Sequence, residues 1–271
     1  MNMLVALAEW SFVAFGLALL LIQLLAHEFG YWLGLRTGGR SDDRAESVGV
    51  VVGGILGLLA FVLALTLSFA SNRFNETRNG ALAEANAIGT AWLRAEAIGL
   101  SRGDEIARLL ERYAKVRLDF IRAERDLARL DALNQETNAL QSQIWGHVAA
   151  IVREHLDPIA SSLMAAINDT FDASTAERFS YERQLPPQVL WLLIGMAALA
   201  MAVLGYQLGL RGRTMRVMIV LLTSMWTVIV VDILDLASAR FGNIRTSDAT
   251  YEWTIQGFQG GLPIPPAPGA P

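Results

Sequence analysis

Three groups of residues in this chain are of a type and spacing that could do chemistry. Asp232 and Asp235 stand three residues apart inside the apolar run VMIVLLTSMWTVIVVDILDL, so a helix would set both on one face. Carboxylates at membrane depth are functional candidates; the alternatives are interfacial acids paired with an arginine such as Arg240 or Arg73, or acids that repel anions from a pore entrance. By rise per residue Asp232 lies about 22 Å beyond Val217, near the edge of a hydrocarbon core about 30 Å thick. The second group begins in GLLAFVLALTLSFAS, where Phe61, Leu65 and Phe69 recur one helical turn apart, and ends in NRFNETR, which supplies Arg73, Glu76 and Arg78. Apolar rings around an axis gate a pore by dewetting, and charges beyond them would form its vestibule. The simpler reading is a lipid-facing helix with an interfacial anchor and an ion pair three residues apart. Third, Glu84 and Asn86 are polar residues in the small, apolar stretch EANAIGTAWLRAE. Buried, they need partners, and Glu84 is expected to meet an arginine, with Arg94 of a neighbouring helix or subunit as the candidate.

Other chemistries find no residues. The chain has no cysteine, and its three histidines, His27, His147 and His155, lie in no metal-binding spacing. No nucleophile–base pair or metal cluster suggests an enzyme, and no cofactor is expected. A formal charge of −4 gives no footprint for nucleic acid. Hydrophobic residues make up 53% of the chain and charged ones only 18%, which places it in the membrane class.

Four apolar runs are long enough to cross a bilayer: about 4–26, 48–69, 189–210 and 217–236. The first lacks a basic n-region and a cleavage site and is expected to be retained. Pro186 and Pro187 suit the start of the third. In the second, Gly49, Gly53 and Gly57 recur every four residues and Ala60, Ala64 and Ser68 extend the small face, which predicts close helix packing. Between the second and third runs the pattern is amphipathic. Ile106, Leu109, Leu110, Tyr113, Val116, Phe120, Ile121, Leu127 and Leu130 share one stripe, with Ser101 as a cap. A further helix is expected over 131–171, broken at Pro158, followed by a turn at NDTFDAST. The Pro/Gly-rich end is expected to be disordered.

The stretch FVLALTLSFASNRF resembles the second membrane helix of bestrophins. In that family bulky apolar residues stand twelve and eight positions before an Arg–aromatic pair, here Phe61 and Leu65 before Arg73 and Phe74. A third neck position falls at Gly57, which is not bulky. Arg73, Glu76 and Arg78 are similar to the bacterial bestrophin pattern. A closer resemblance, covering nearly the whole chain, is to the bacterial bestrophin-like proteins. It rests on EFGYWLG, on EANAIGTAWLRAE, and on VVDILD with RFGNIR around Asp232, Asp235, Gly242 and Arg245.

The resulting expectation is an all-α integral membrane protein with four transmembrane helices and a helical extramembrane domain between the second and third. Helices one and two would occupy 1–72, the domain 73–185, helices three and four 186–240, and a largely disordered tail 241–271. The resemblance implies a multi-pass protein of the bacterial inner membrane, a homo-oligomer passing small anions. Gly57, Phe61, Leu65 and Phe69 would line its pore, and Arg73, Glu76 and Arg78 its vestibule. Glu84, Asn86, Arg94, Asp232 and Asp235 would be structural or ion-linked polar residues. Animal bestrophins bind calcium through an acidic run after the last helix, which is absent here, so no metal is expected. The alternative is a non-conducting scaffold or sensor whose helical domain binds a partner through exposed apolar residues of 106–130. Arginine density favours the short loops, with Arg36, Arg40, Arg44, Arg211, Arg213 and Arg216, as the cytoplasmic side, whereas the resemblance puts the helical domain there.

Overall fold

The computed structural model describes residues 11–37, 42–123, 126–155, 157–182, 186–238 and 244–260. Among them are eight helices and no strand: α1 (Phe12–Thr37), α2 (Asp42–Ala97), α3 (Ser101–Arg122), α4 (Leu127–Glu154), α5 (Pro158–Glu182), α6 (Pro187–Arg211), α7 (Arg216–Ser238) and α8 (Ala249–Phe258). α1, α2, α6 and α7 are long and apolar enough to cross a membrane. The 56 residues of α2 are more than twice what a bilayer core requires. Two turns use left-handed glycines, Gly99 after α2 and Gly212 after α6. An alanine has a Cβ that collides with the following carbonyl in that conformation. Gly99→Ala is therefore expected to cost about 1 kcal/mol, read as a lower midpoint in denaturant unfolding.

The chain divides into two compact units, 1–74 with 184–244 and 75–183 with 245–271. In the first unit, α1 lies against α6 through two pairs of glycines spaced four apart. A Cβ at Gly30 would overlap the Ala202 carbonyl, and one at Gly34 the Tyr206 carbonyl. One at Gly205 would overlap the His27 carbonyl, and one at Gly209 the Tyr31 carbonyl. Both partner series rise together, so the two helices run parallel with their backbones in contact. This seam accounts for the glycines of EFGYWLG, and it explains why α1 continues to Thr37 where the apolar run suggested an end near 26. Residues 1–10 lie outside the described residues. Phe15, Leu19, Leu59, Leu63, Leu193, Met201 and Trp226 belong to the apolar core of this unit. Within it, the Gln23 side chain donates to Thr227 Oγ1 at 2.9 Å.

The expected close packing of the glycines in α2 holds at only one of three positions. A Cβ at Gly49 would meet Gln207, whereas Gly53 and Gly57 open onto free space within the chain. Packing in this unit selects the glycines of α1 and α6 instead.

In the second unit α3 follows the predicted stripe, with Ile106, Leu110, Tyr113 and Phe120 buried. Ser101 begins that helix, but the cap position is Leu100 and makes no side-chain cap bond. The stripe does not continue to 130. α3 ends at Arg122 and α4 starts afresh, with the Asp126 carboxylate accepting from Arg129 N at 3.0 Å, and Leu127 is exposed. Asp157 caps α5 by accepting from Ala160 N, and Pro158 occupies the first turn, where its missing N–H costs nothing.

NDTFDAST is not a turn; it lies inside α5. Its hydroxyls turn back onto the helix, Thr170 to the Ala166 carbonyl and Thr175 to the Phe171 carbonyl. Buried Leu163, Ile167, Thr170, Ser174 and Glu177 keep one helical face across the polar stretch. The tail expectation from 241 also differs from the structure. Ala249–Phe258 is helical, because Tyr251 and Phe258 are buried among residues of α2 and α3. Residues 261–271 lie outside the described residues.

Candidate functional site

Two features bear on function, one in each unit. In the first unit, α2 buries Val52, Leu59, Leu63 and Ala70, spaced four or seven apart. Its opposite face carries the four pore-lining candidates. Gly57 opens onto free space, and Phe61, Leu65 and Phe69 are exposed by 65%, 46% and 62%. Such an apolar face is free to meet lipid or another subunit. Arg73 is half-buried, and Glu76 and Arg78 are exposed. The two aspartates of α7 diverge: Asp232 is exposed, whereas Asp235 is buried and its Oδ1 accepts from Ile244 N at 3.4 Å. Arg240 lies outside the described residues.

In the second unit, the EANAIGTAWLRAE stretch resolves into two faces of α2. Glu84, Ala85, Ile88, Ala91, Trp92 and Ala95 are buried, as is Ala81 one turn before them. Asn86, Thr90, Leu93 and Arg94 are exposed. The small residues admit α8: Thr254 Oγ1 donates to the Ala85 carbonyl at 3.3 Å, and the Trp92 and Phe258 rings pack at a tilt with centroids 5.1 Å apart.

Glu84 does meet an arginine, but that arginine is Arg117 of α3. Arg94 donates instead to the Ser162 carbonyl at 2.6 Å. Arg117 Nε donates to Glu84 Oε1 at 2.5 Å and its Nη2 to Glu84 Oε2 at 3.0 Å. The same Nη2 reaches Glu177 Oε2 of α5 at 3.2 Å. The Tyr251 hydroxyl of α8 stands 2.5 Å from Glu84 Oε2 and 2.5 Å from Glu177 Oε2. All four side chains are buried, so four helices converge on one polar cluster inside an apolar core. The Arg117 guanidinium also lies 4.4 Å over the Phe120 ring. Asn86 takes no part in the cluster.

The electrostatics separate the two acids. Burial pushes the Glu84 carboxyl up, but the Arg117 guanidinium and hydrogen bonds with Glu177, Arg117 and Tyr251 outweigh it, so it titrates below the usual value. Burial, and then the hydrogen bond to Glu84 and its charge, push the Glu177 carboxyl well above that value. Burial and both carboxylates raise Tyr251, and burial moves Tyr113 up to about 12. Among the described residues no group of three or more metal-binding side chains comes together.

Arg117, Glu177 and Tyr251 were not anticipated. Arg117 had a signal: it follows Tyr113 by four residues and precedes Phe120 by three, so it sits on the apolar face. Glu177 was hidden by reading NDTFDAST as a turn, and Tyr251 by reading its segment as disordered.

Four helices long and apolar enough to cross a bilayer, with a helical unit of polar-centred core, define a helical membrane protein. The sequence profile of the bestrophin-like domain matches residues 20–249. The chain belongs to the bestrophin-like family. Its fold is similar to that of a crystallised bacterial bestrophin homologue from Klebsiella pneumoniae, with a TM-score of 0.61 at 14% identity, over 92% of this chain and 98% of that one. A mutated form of a bestrophin homologue from the same organism matches with a TM-score of 0.62 at 13% identity, over 90% and 96%. No match was found among curated proteins.

Proposed function

We propose that this protein is an oligomeric membrane channel for small anions, with the exposed face of α2 lining the path and Phe61 and Leu65 at its narrowest point. The observation that carries this reading is the exposure of Gly57, Phe61, Leu65 and Phe69 on one face, away from the core of the chain that bears them. In a closed ring of subunits that face would meet the axis, and apolar side chains there would gate by dewetting. Arg73, Glu76 and Arg78 would follow as a charged vestibule, with residues 75–183 as an extramembrane domain between the second and third spans. The fold likeness and the family are consistent with this assembly in a bacterial inner membrane. Chemistry on a substrate has no part in this reading.

The scaffold alternative is weakened by one observation. The apolar stripe of α3 that would dock a partner is spent on the core, with Ile106, Leu110 and Tyr113 fully buried.

The test is chloride flux into proteoliposomes of the purified protein. Phe61→Ala is expected to raise flux several-fold, because a smaller side chain widens and wets the constriction. Absence of flux from folded, oligomeric wild-type protein would refute the channel reading.

A further inference from the structure

The polar cluster of the second unit contains a proton whose location follows from geometry. Tyr251 has one hydroxyl hydrogen, yet its oxygen stands 2.5 Å from a carboxyl oxygen of Glu84 and from one of Glu177. One hydrogen serves one contact. The other is an oxygen–oxygen approach that requires a hydrogen from the carboxyl side. The choice of acid follows from Arg117, which grips Glu84 with two donors and reaches Glu177 with only one, at 3.2 Å. Glu84 is therefore the ionised partner. The second oxygen of Glu177, Oε1, is buried with no hydrogen-bond partner, a situation far less costly for a neutral acid than for a carboxylate. Glu177 thus supplies a proton shared between the Tyr251 oxygen and the Glu84 carboxylate, and the Tyr251 hydroxyl donates to Glu84.

We propose that Glu177 is a proton-binding site and that its proton latches α8 onto α2, α3 and α5. With the proton present, Tyr251 accepts from one acid and donates to the other, and α8 is fixed at its first turn. When the proton leaves to water, Glu177 becomes a second buried carboxylate facing Glu84 and the Tyr251 oxygen. Only one guanidinium opposes them, and α8 loosens to admit water. The ionisable groups acting on Glu177 are Glu84 of α2, Arg117 of α3 and Tyr251 of α8, and Tyr113 of α3 stands within reach of Glu84 and Arg117. Farther out, Arg122 pairs with Asp248 at 2.7 Å and with Glu252 on an exposed surface. The latch is independent of the channel reading, since it concerns the docking of one helix and not conduction.

The sign is fixed by linkage. Glu177 binds its proton more tightly in the docked state than in water, so docking is strongest at low pH and weakens as pH rises through the docked-state titration. The experiment is hydrogen exchange on the full-length protein in lipid nanodiscs, following the backbone amides of 249–258 from about pH 5 to about pH 9. Protection, corrected for intrinsic exchange, is expected to fall by up to about tenfold per pH unit between the ordinary carboxyl range and the docked-state titration of Glu177, the limit for one linked proton, and to level off above it. Glu177→Gln, which supplies a neutral donor at every pH, is expected to make protection independent of pH. A flat wild-type profile would overturn the proposal, as would an equal fall in Glu177→Gln. If that variant does not fold, the infrared band of protonated carboxyl in the wild type decides. It is expected to vanish as pH rises through the docked-state titration, where the fall in protection levels off, and its absence at low pH would overturn the proposal.

Discussion

Replacing Arg117 with alanine is expected to lower the stability of the fold by about 3–5 kcal/mol, the range for removing one partner from a buried ion pair. That is a large share of the roughly 5–15 kcal/mol that holds an ordinary domain together. The cause is less the lost attraction than what is left behind: Glu84 and Glu177, both buried, with only the Tyr251 hydroxyl between them. The measurement is the denaturant midpoint followed by helical circular dichroism. Arg112→Ala serves as comparison, because Arg112 pairs with Glu136 on an exposed surface and such pairs contribute little. A loss in Arg117→Ala no greater than in Arg112→Ala would rule out the cluster as a keystone. The variant should also recover at low pH. Without the guanidinium both carboxyls prefer to be neutral in the core, so the folded state binds more protons than the unfolded one and gains stability as pH falls.

Gly209→Val is expected to destabilise the first unit by about 3 kcal/mol or more, at the upper end of overpacking costs. A Cβ at Gly209 would run into the Tyr31 carbonyl and the Gly34 backbone, and neither can rotate away as a side chain would. α1 and α6 would have to separate along their shared seam. Gly57→Val adds the same atoms to a glycine of the same four-residue spacing, but nothing lies within reach there, so it should leave the unfolding midpoint within about 0.5 kcal/mol. Equal effects in the two variants would refute the seam. Unfolding in detergent, monitored by circular dichroism, distinguishes them.

The two glycine series show where sequence reading stops. Gly49, Gly53 and Gly57 are as regular as Gly30 with Gly34 or Gly205 with Gly209, and regularity marks a face on which another backbone can approach. Which series is used depends on which helices are neighbours, and local spacing holds no information about that. The same limit applies to Glu84. Its need for an arginine was legible, because an acid among small apolar residues must be buried or neutralised. The choice between Arg94 and Arg117 was not, because Arg117 lies thirty-three residues away on another helix.

Local chemistry, then, determined the helices, four of them long and apolar enough for a membrane, the amphipathic stripe of α3, the proline starts of α5 and α6, and the face carrying Phe61, Leu65 and Phe69. These follow from periodicity and transfer free energy, which neighbouring residues decide. Tertiary packing decided that NDTFDAST stays helical, that 249–258 folds, and that Glu84, Arg117, Glu177 and Tyr251 share one buried site. In each case burial against a distant helix outweighs a weak local preference for turn or coil, and that term exists only once the helices have met.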